Sequence, residues 1–253
     1  MMPSNLNAAP WSNASEGPPS KEGEFEEILY HITHDVRAAL RAIKTLPDWI
    51  IEELERSCAT IPAQVFEDFE LLKIQAERAD QILLDLRTYS RVGRLSDAPG
   101  LVDLPEAFAE AQVIADPDGV LLVETDFRQP SLSAPRNDTV TVFAALLSNA
   151  IKHVDGDDRR LFVSSWADQD GVHLEVEDAG RGIAPEFHDK VFKLMTTLKS
   201  RDECEGSGVG LALVRKIVAS LGGTVMITQA TRLGGTCVSI CLPTRRTAPA
   251  NSH

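Results

Sequence analysis

The sequence has few cysteines, no long apolar run and no excess of basic residues, and each shortage argues against a class of protein. Its four cysteines match no zinc or redox spacing, which favours reduced thiols and a cytoplasmic location. The amino terminus lacks the layout of a signal peptide, and no apolar run approaches the ~20 residues of a membrane-spanning helix. A formal net charge of −13 gives no sign of a nucleic-acid surface or a polybasic membrane contact.

At 253 residues the chain is long enough for one large domain or two small ones, and its pattern changes along its length. Residues 1–22 are rich in Pro, Ser, Asn and Gly and predict a disordered tail. Apolar residues then recur at spacings of three and four from Phe25 to Leu54, which predicts one long amphipathic helix, kinked or loosened at Pro47. A second stripe, from Phe66 to Tyr89, predicts a second helix.

Two long helices joined by a short loop form an antiparallel hairpin, which we place at residues 23–96. One hairpin offers too little partner surface to bury both apolar stripes. We therefore expect it to pair with a second copy as a four-helix bundle, so that the protein is a homodimer.

From the breaker cluster at residues 96–100 onward the pattern is mixed α/β, which predicts a second domain over residues 97–245 and a short tail at 246–253. Strands are expected near 101–104, 120–126, 160–167, 171–178, 223–229 and 236–242, and helices near 105–115, 137–153, 184–190 and 208–221. Several strands are neighbours in sequence, so the fold class is α+β, with a mixed sheet and helices on one face. Cys237 and Cys241 would share one face of the last strand, which favours packing over a disulfide.

The stretch 172–182 combines a strand pattern with an acidic residue and a glycine turn. Residues 172–176 alternate apolar and polar side chains, and continuing this alternation turns Asp178 towards the interior. An inward carboxylate is costly unless a group donates to it, and Gly180 and Gly182 let the backbone approach a bound molecule. The stretch is compatible with a pocket for a ligand N–H, such as the adenine amino group, and equally with a plain strand and turn.

Asn149 belongs to the predicted helix and lies at the edge of its apolar stripe, where it faces a partner rather than open water. Its amide oxygen suits Mg²⁺, a hard cation that normally arrives with phosphates. Taken alone, an asparagine at such a position is more often structural.

Three glycines, Gly206, Gly208 and Gly210, alternate at the start of a predicted helix. Free backbone N–H groups and the positive end of the helix dipole form an anion site there. The polar stretch before them, which contains Lys199, is expected to form a mobile lid over a triphosphate. The segment is not a Walker loop, because no Gly-Lys-Ser/Thr follows, and the glycines come too late for a dinucleotide fold.

Together these segments resemble the sequence boxes of sensor histidine kinases, in the order and approximate spacing of that family. The H box resembles residues 31–37, the N box 146–153, the G1 box 178–182, a variant F box 191–194 and the G2 box 206–210, while 87–91 and 197–202 are similar to the phytochrome-like branch. The resemblance covers about residues 25–243. It implies a dimerising helical hairpin followed by an α/β sandwich ATP-binding domain of the histidine kinase, gyrase and Hsp90 type.

The resemblance also implies residue roles. His34 would be the phosphoacceptor, which the nucleophilicity of a neutral imidazole supports, and Asp35 would orient the ring or accept its proton. Asn149 would bind Mg²⁺, and Asp178 would contact the adenine of ATP. The remaining expected ATP-site residues are Lys152 or His153 near the phosphates, Lys199 in the lid, Thr236 near the adenine, and the pocket and lid glycines Gly180, Gly182, Gly206, Gly208 and Gly210.

Three alanines depart from the family pattern. Ala39 stands where the family commonly has Pro, and Ala38 where many members have the Thr or Asn that orients water for dephosphorylating the partner. We therefore expect phosphatase activity towards the regulator to be weak. Ala145 stands where hydrolytic ATPases of the same fold carry a Glu that activates water, which favours transfer to an amino acid over hydrolysis.

The sequence thus predicts a histidine kinase core that autophosphorylates His34 from Mg-ATP and passes the phosphoryl group to an Asp of a response regulator. Two alternatives stay open: a non-catalytic phosphotransfer or scaffold protein with a decayed ATP domain, and a hydrolytic ATPase, which Ala145 and the hairpin disfavour. The stretch before Phe25 is expected to be too short to fold into a sensor domain. We expect the signal to come either from a separate sensor protein or from a domain of a longer chain.

Overall fold

The computed structural model describes residues 21–57, 60–93, 96–153, 158–198 and 206–243. Its elements in chain order are α1 (Lys21–Arg56), α2 (Ala63–Arg91), β1 (Gly100–Asp103), α3 (Leu104–Ala115), β2 (Leu122–Phe127), β3 (Ser131–Ala134), α4 (Arg136–His153), β4 (Arg160–Ala167), β5 (Val172–Asp178), α5 (Gly210–Ser220), β6 (Thr224–Gln229) and β7 (Thr236–Leu242). Two 3-10 turns, Pro185–Phe187 and Lys190–Phe192, lie between β5 and α5. Among the described residues, none of the helices combines the length and apolarity that crossing a bilayer requires.

Helices α1 and α2 form the predicted antiparallel hairpin, and ion pairs fix their register. Arg37 Nε lies 2.5 Å from Asp80 Oδ1, and Lys73 Nζ lies 2.6 Å from Asp48 Oδ1. Between them Lys44 Nζ lies 3.0 Å from an oxygen of Glu77. Helix α1 continues through Pro47, so this residue does not end the helix although it cannot donate an i→i−4 hydrogen bond.

The second domain contains a five-stranded sheet in the order β2-β4-β5-β7-β6. Strands β2 and β4 are parallel and the other pairs are antiparallel, which confirms the predicted mixed sheet. The pattern missed β3, a short strand of Ser, Leu and Ala residues that pairs with β1 in a separate two-stranded sheet. The predicted helix at 184–190 was wrong, because that region contains only three-residue turns, too short to repay the entropic cost of an α-helical nucleus.

Helices α3, α4 and α5 pack on one face of the sheet and bury a single apolar core with it. At its centre Phe143 of α4 meets Phe108 of α3 edge to face, with ring centroids 5.3 Å apart. Leu161 of β4, Ile217 of α5 and Ile240 of β7 are fully buried around it. The helix-covered face therefore carries the apolar half of each strand, as the alternation predicts.

The opposite face of the sheet is polar but not freely solvated. Glu177 is only 5% exposed, and its Oε2 accepts a hydrogen bond from the backbone N–H of Arg232 at 3.0 Å. The Arg232 guanidinium lies 4.0 Å above the ring of Phe162. Cys237 and Cys241 point to this face as free thiols, which confirms that they pack there without a disulfide.

Candidate functional site

Asp178 ends β5, and backbone N–H groups hold one of its carboxylate oxygens. Oδ1 accepts hydrogen bonds from Gly180 N and Thr236 N, both at 2.9 Å. The strand register pairs Asp178 with the fully buried Leu161, so the residue starts on the helix-covered face as predicted. Within the described part of the chain, Oδ2 makes no hydrogen bond, and it is the oxygen that can accept from the N–H of a ligand.

Gly235 lies closer to Asp178 than any side chain would allow. A Cβ at this position would stand 2.4 Å from both the carbonyl oxygen and Oδ1 of Asp178. The backbone N–H of Gly235 also donates to that carbonyl at 3.2 Å. The sequence pattern did not single out this contact, and the only signal for it is a glycine pair at the start of a strand that neighbours β5.

The predicted pocket and lid glycines differ in whether their backbone conformation or their close contacts require a glycine. Gly208 has a φ of +67°, and a Cβ there would stand 2.7 Å from the backbone N and O of Thr196. Gly182 also has a positive φ, of +75°. A Cβ on Gly206 would meet no atom of the described residues within 4 Å, and one on Gly210 would lie 4.0 Å from the Ala145 carbonyl, so the described surroundings require glycine at neither position.

Helix α4 places its predicted residues beside the Asp178 turn. Asn149 is half-buried, and Lys152 and His153 are exposed in the last turn of the helix. The carbonyl of His153 lies against Gly180, where a Cβ would be 3.1 Å away. The last residue of α4 therefore lies against the turn that follows β5, while the start of α5 lies near Ala145 of the same helix. Lys199 lies outside the described residues.

A second group of possible metal ligands lies on the other face of the sheet. Oxygens of Glu175 and Glu177 and the sulfur of Cys237 lie within 4.8 Å of one another. Burial, followed by the charge of Glu175, raises the pKa of the Cys237 thiol to about 12. Since Asn149 and Asp178 belong to the helix-covered side, this group is separate from their site.

His34 lies on an exposed part of α1, bonded to its neighbour. Its Nδ1 is 3.1 Å from Asp35 Oδ1, and the two side chains are 69% and 83% exposed. In the neutral ring this bond places the proton on Nδ1, because an ionised carboxylate only accepts, and the lone pair is then on Nε2. His34 therefore presents an accessible nucleophilic nitrogen, although an exposed pair of this kind is weak.

The hairpin contacts the glycine segment directly, which the sequence pattern did not reveal. The hydroxyl of Ser207 donates to Asp85 Oδ2 on α2 and accepts from Val209 N at 3.3 Å. Lys216 Nζ donates to the carbonyl of Tyr89 at 2.6 Å and lies 4.4 Å from the centre of its ring. These contacts join the start of α5 to the end of α2.

Comparison with known proteins gives relatives along most of the chain. A family described as histidine kinase-, DNA gyrase B- and HSP90-like ATPases matches residues 135–246. The methanogenesis regulatory histidine kinase FilI of Methanothrix harundinacea is 29% identical over 231 residues, which cover 89% of this chain and 25% of FilI. The phytochrome-like protein Cph1 of Synechocystis is 24% identical over 211 residues, which cover 81% of this chain and 27% of Cph1.

A solved structure shares the fold over both regions. Full-length ShkA in complex with AMPPNP superposes with a TM-score of 0.60 at 19% identity, covering 86% of this chain and 46% of ShkA. The chain spans about a quarter of the length of the two sequence relatives, at 25% and 27%.

Proposed function

Because the chain belongs to the sensor histidine kinase family, we propose that it autophosphorylates His34 from Mg-ATP and passes the phosphoryl group to an Asp of a response regulator. The main support for the proposal is that the same chain contains two features. One is an accessible His34 whose Nδ1 is bonded to Asp35, and the other is the turn in which backbone N–H groups hold Asp178. The active species would be a homodimer through α1 and α2. Its input would come from a separate sensor protein or a linked domain.

The donor set at the pocket fits a magnesium nucleotide. Asp178 Oδ2 would accept from the adenine amino group, while Oδ1 stays fixed by the N–H groups of Gly180 and Thr236. Asn149 offers a neutral oxygen for Mg²⁺, which when bound neutralises phosphate charge. Backbone N–H groups at the start of α5 and the basic residues Lys152 and His153 would face the phosphates.

The transfer step places few demands on the protein beyond position and charge. The lone pair of His34 Nε2 forms a bond to the γ-phosphorus as the bond to the bridging oxygen breaks, and ADP leaves with that electron pair. The ring proton stays on Nδ1, where Asp35 holds it. In the second transfer the Nε2–phosphorus bond breaks as an Asp carboxylate of the receiver attacks.

The residue one helical turn before Asn149 disfavours hydrolysis of ATP by water. Ala145 lies one turn earlier on α4, and its methyl group can neither orient nor deprotonate a water molecule. Ala38 and Ala39 are exposed next to His34 on α1 and offer no hydroxyl or amide to a water attacking the phosphorylated regulator. The proposal therefore includes weak phosphatase activity.

Labelling with Mg-[γ-³²P]ATP tests the proposal on the wild type and two variants. His34→Gln should lose the acid-labile label because the nucleophile is gone, while His31→Gln, the matched control one turn away, keeps it. Asn149→Ala should label at least about 100-fold more slowly through loss of the metal ligand, whereas Asn137→Ala at the exposed start of the same helix should not. Label that survives in His34→Gln would refute the acceptor assignment. A wild type that binds ATP without becoming labelled would favour the scaffold alternative.

A further inference from the structure

A small cavity of about 40 Å³ opens beside His34, and arginines from both helices line it. Its walls are Thr33, His34, Arg37 and Arg41 of α1 and Arg87 of α2. Thr33 is almost fully buried and closes the floor. The volume exceeds the roughly 10–15 Å³ that one water molecule needs, so oxygens of a small anion can enter.

The three arginines have different tasks. Arg37 is committed to the hairpin: its Nε and Nη2 lie 2.5 and 3.5 Å from the Asp80 oxygens, and this bonding raises the pKa of Arg37. Arg41 is exposed, and it forms no ion pair in the described part of the chain. It lies seven positions after His34, about two helical turns, and so on the same side of α1. Arg87 reaches the cavity from α2.

The described lining of the cavity contains three guanidinium groups and no carboxylate, in a chain whose net charge is −13. Among the described carboxylates, Asp80 is bonded to Arg37, and Asp35 is bonded to Nδ1 of His34. A guanidinium carries five N–H donors and a positive charge, which suit an anion. The cavity beside His34 thus offers guanidinium donors from both helices to an anion.

We propose that Arg41 and Arg87 form a phosphoryl-binding subsite that receives the transferring group and holds it once it is on His34. The inference rests on the proposed function, since it deepens the role of His34. A transferring phosphoryl group spreads negative charge over three equatorial oxygens, which the fork of a guanidinium matches with two parallel N–H donors. The arginines make and break no covalent bond. They neutralise charge, and Arg37 acts as a positioning residue that keeps α1 and α2 in register.

Two phosphoryl donors test the subsite separately from the ATP domain. Mg-ATP needs the nucleotide pocket, whereas phosphoramidate transfers its phosphoryl group to a histidine directly, with ammonia as the leaving group. We expect Arg41→Gln and Arg87→Gln each to slow labelling of His34 by about tenfold with either donor, and the double variant by about 100-fold, less than a fully buried donor would cost. Arg41→Lys and Arg87→Lys should recover part of the rate, because they keep the charge and lose the fork.

The matched control is Arg56→Gln, in the last turn of α1, where the described partners of the guanidinium are Glu52 and Glu53. It should label at the wild-type rate, and affinity for a fluorescent ATP analogue should be unchanged in all variants. His34→Gln provides the background for phosphoramidate, and circular dichroism checks that the helices persist. If a Gln variant loses helix content, the Lys variants decide the matter.

Three outcomes would overturn the subsite: no slowing with either donor, slowing with Mg-ATP alone, or no labelling of His34 by phosphoramidate. Slowing with Mg-ATP alone would mean that the arginines serve the approach of the ATP domain rather than the phosphoryl group. Failure of the kinase proposal is distinguishable, because a wild type labelled by phosphoramidate but not by Mg-ATP refutes the kinase while the phosphoramidate rates still decide the subsite.

Discussion

The helical hairpin and the sheet domain treat their apolar residues in opposite ways. The sheet domain buries its own: Phe143 is 1% exposed at the centre of a continuous core. On α2 the only buried residue is Ala76. Among the side chains that the structure describes, the large apolar residues left exposed on the hairpin are Ile32, Val36, Leu46, Trp49, Ile50, Phe66, Leu71, Leu72 and Ile74. One region is thus complete within a single chain, and the other presents a surface that a second copy would cover.

The hairpin compensates for its open apolar stripe with polar contacts between its helices. Its described ion pairs, such as Arg37–Asp80 and Lys73–Asp48, fix the register. Partly exposed pairs of this kind each contribute little to stability. Register therefore comes from the pairs, and most of the stability of the hairpin would come from dimerisation.

The largest effect is expected in the core of the sheet domain. Phe143→Ala removes a fully buried ring that packs on Phe108, and should lower the free energy of unfolding by about 3–5 kcal/mol. Urea denaturation followed by tryptophan fluorescence measures this change. Met226→Ala, at an exposed position of β6, should change it by less than about 0.5 kcal/mol. Equal losses of unfolding free energy in Phe143→Ala and Met226→Ala would mean that the buried core is not the main source of the domain's stability.

A smaller effect, confined to association, is expected on the hairpin. Leu46 is 45% exposed, and Leu46→Glu should weaken dimerisation by at least about 30-fold, since it places a charge on the surface that the partner would cover. Sedimentation equilibrium measures the dissociation constant. Val113→Glu makes the same change at a 74% exposed position on α3 and should leave it unaltered. A wild-type protein that is monomeric at micromolar concentration would contradict the comparison.

The smallest effect concerns the reactivity of the Cys237 thiol, which reports whether reagents reach the face of the sheet that the helices do not cover. Because burial raises the pKa of the Cys237 thiol to about 12, only on the order of 10⁻⁴ of it is thiolate at pH 8. Iodoacetamide at pH 8 should therefore leave Cys237 unmodified in the folded protein and modify it in urea, as read by peptide mass spectrometry. Fast modification of the folded protein would show that this face opens.

The periodicity of apolar residues predicted the helices and strands, because these elements depend on interactions between residues close in sequence. The 3.6-residue stripes gave both hairpin helices, and strict alternation placed Asp178 on the helix-covered face at the end of β5. Contacts between distant segments carry no such signal. Ser207 and Asp85 are 122 residues apart, and Glu177 is buried by the backbone of Arg232, 55 residues later. Periodicity predicts which face of a helix or strand is buried. Which distant residues cover that face depends on the tertiary fold, which the local pattern does not contain.

The hydrogen bond between Ser207 and Asp85 has a thermodynamic consequence. It spans the hairpin and the glycine segment at the start of α5, where an anion would bind. If a bound triphosphate breaks that hydrogen bond, the affinity for nucleotide depends on the position of α2, and the position of α2 depends on bound nucleotide. Any signal that moves α2 away from Ser207 then raises nucleotide affinity by a definite factor, and nucleotide favours the moved helix by that same factor.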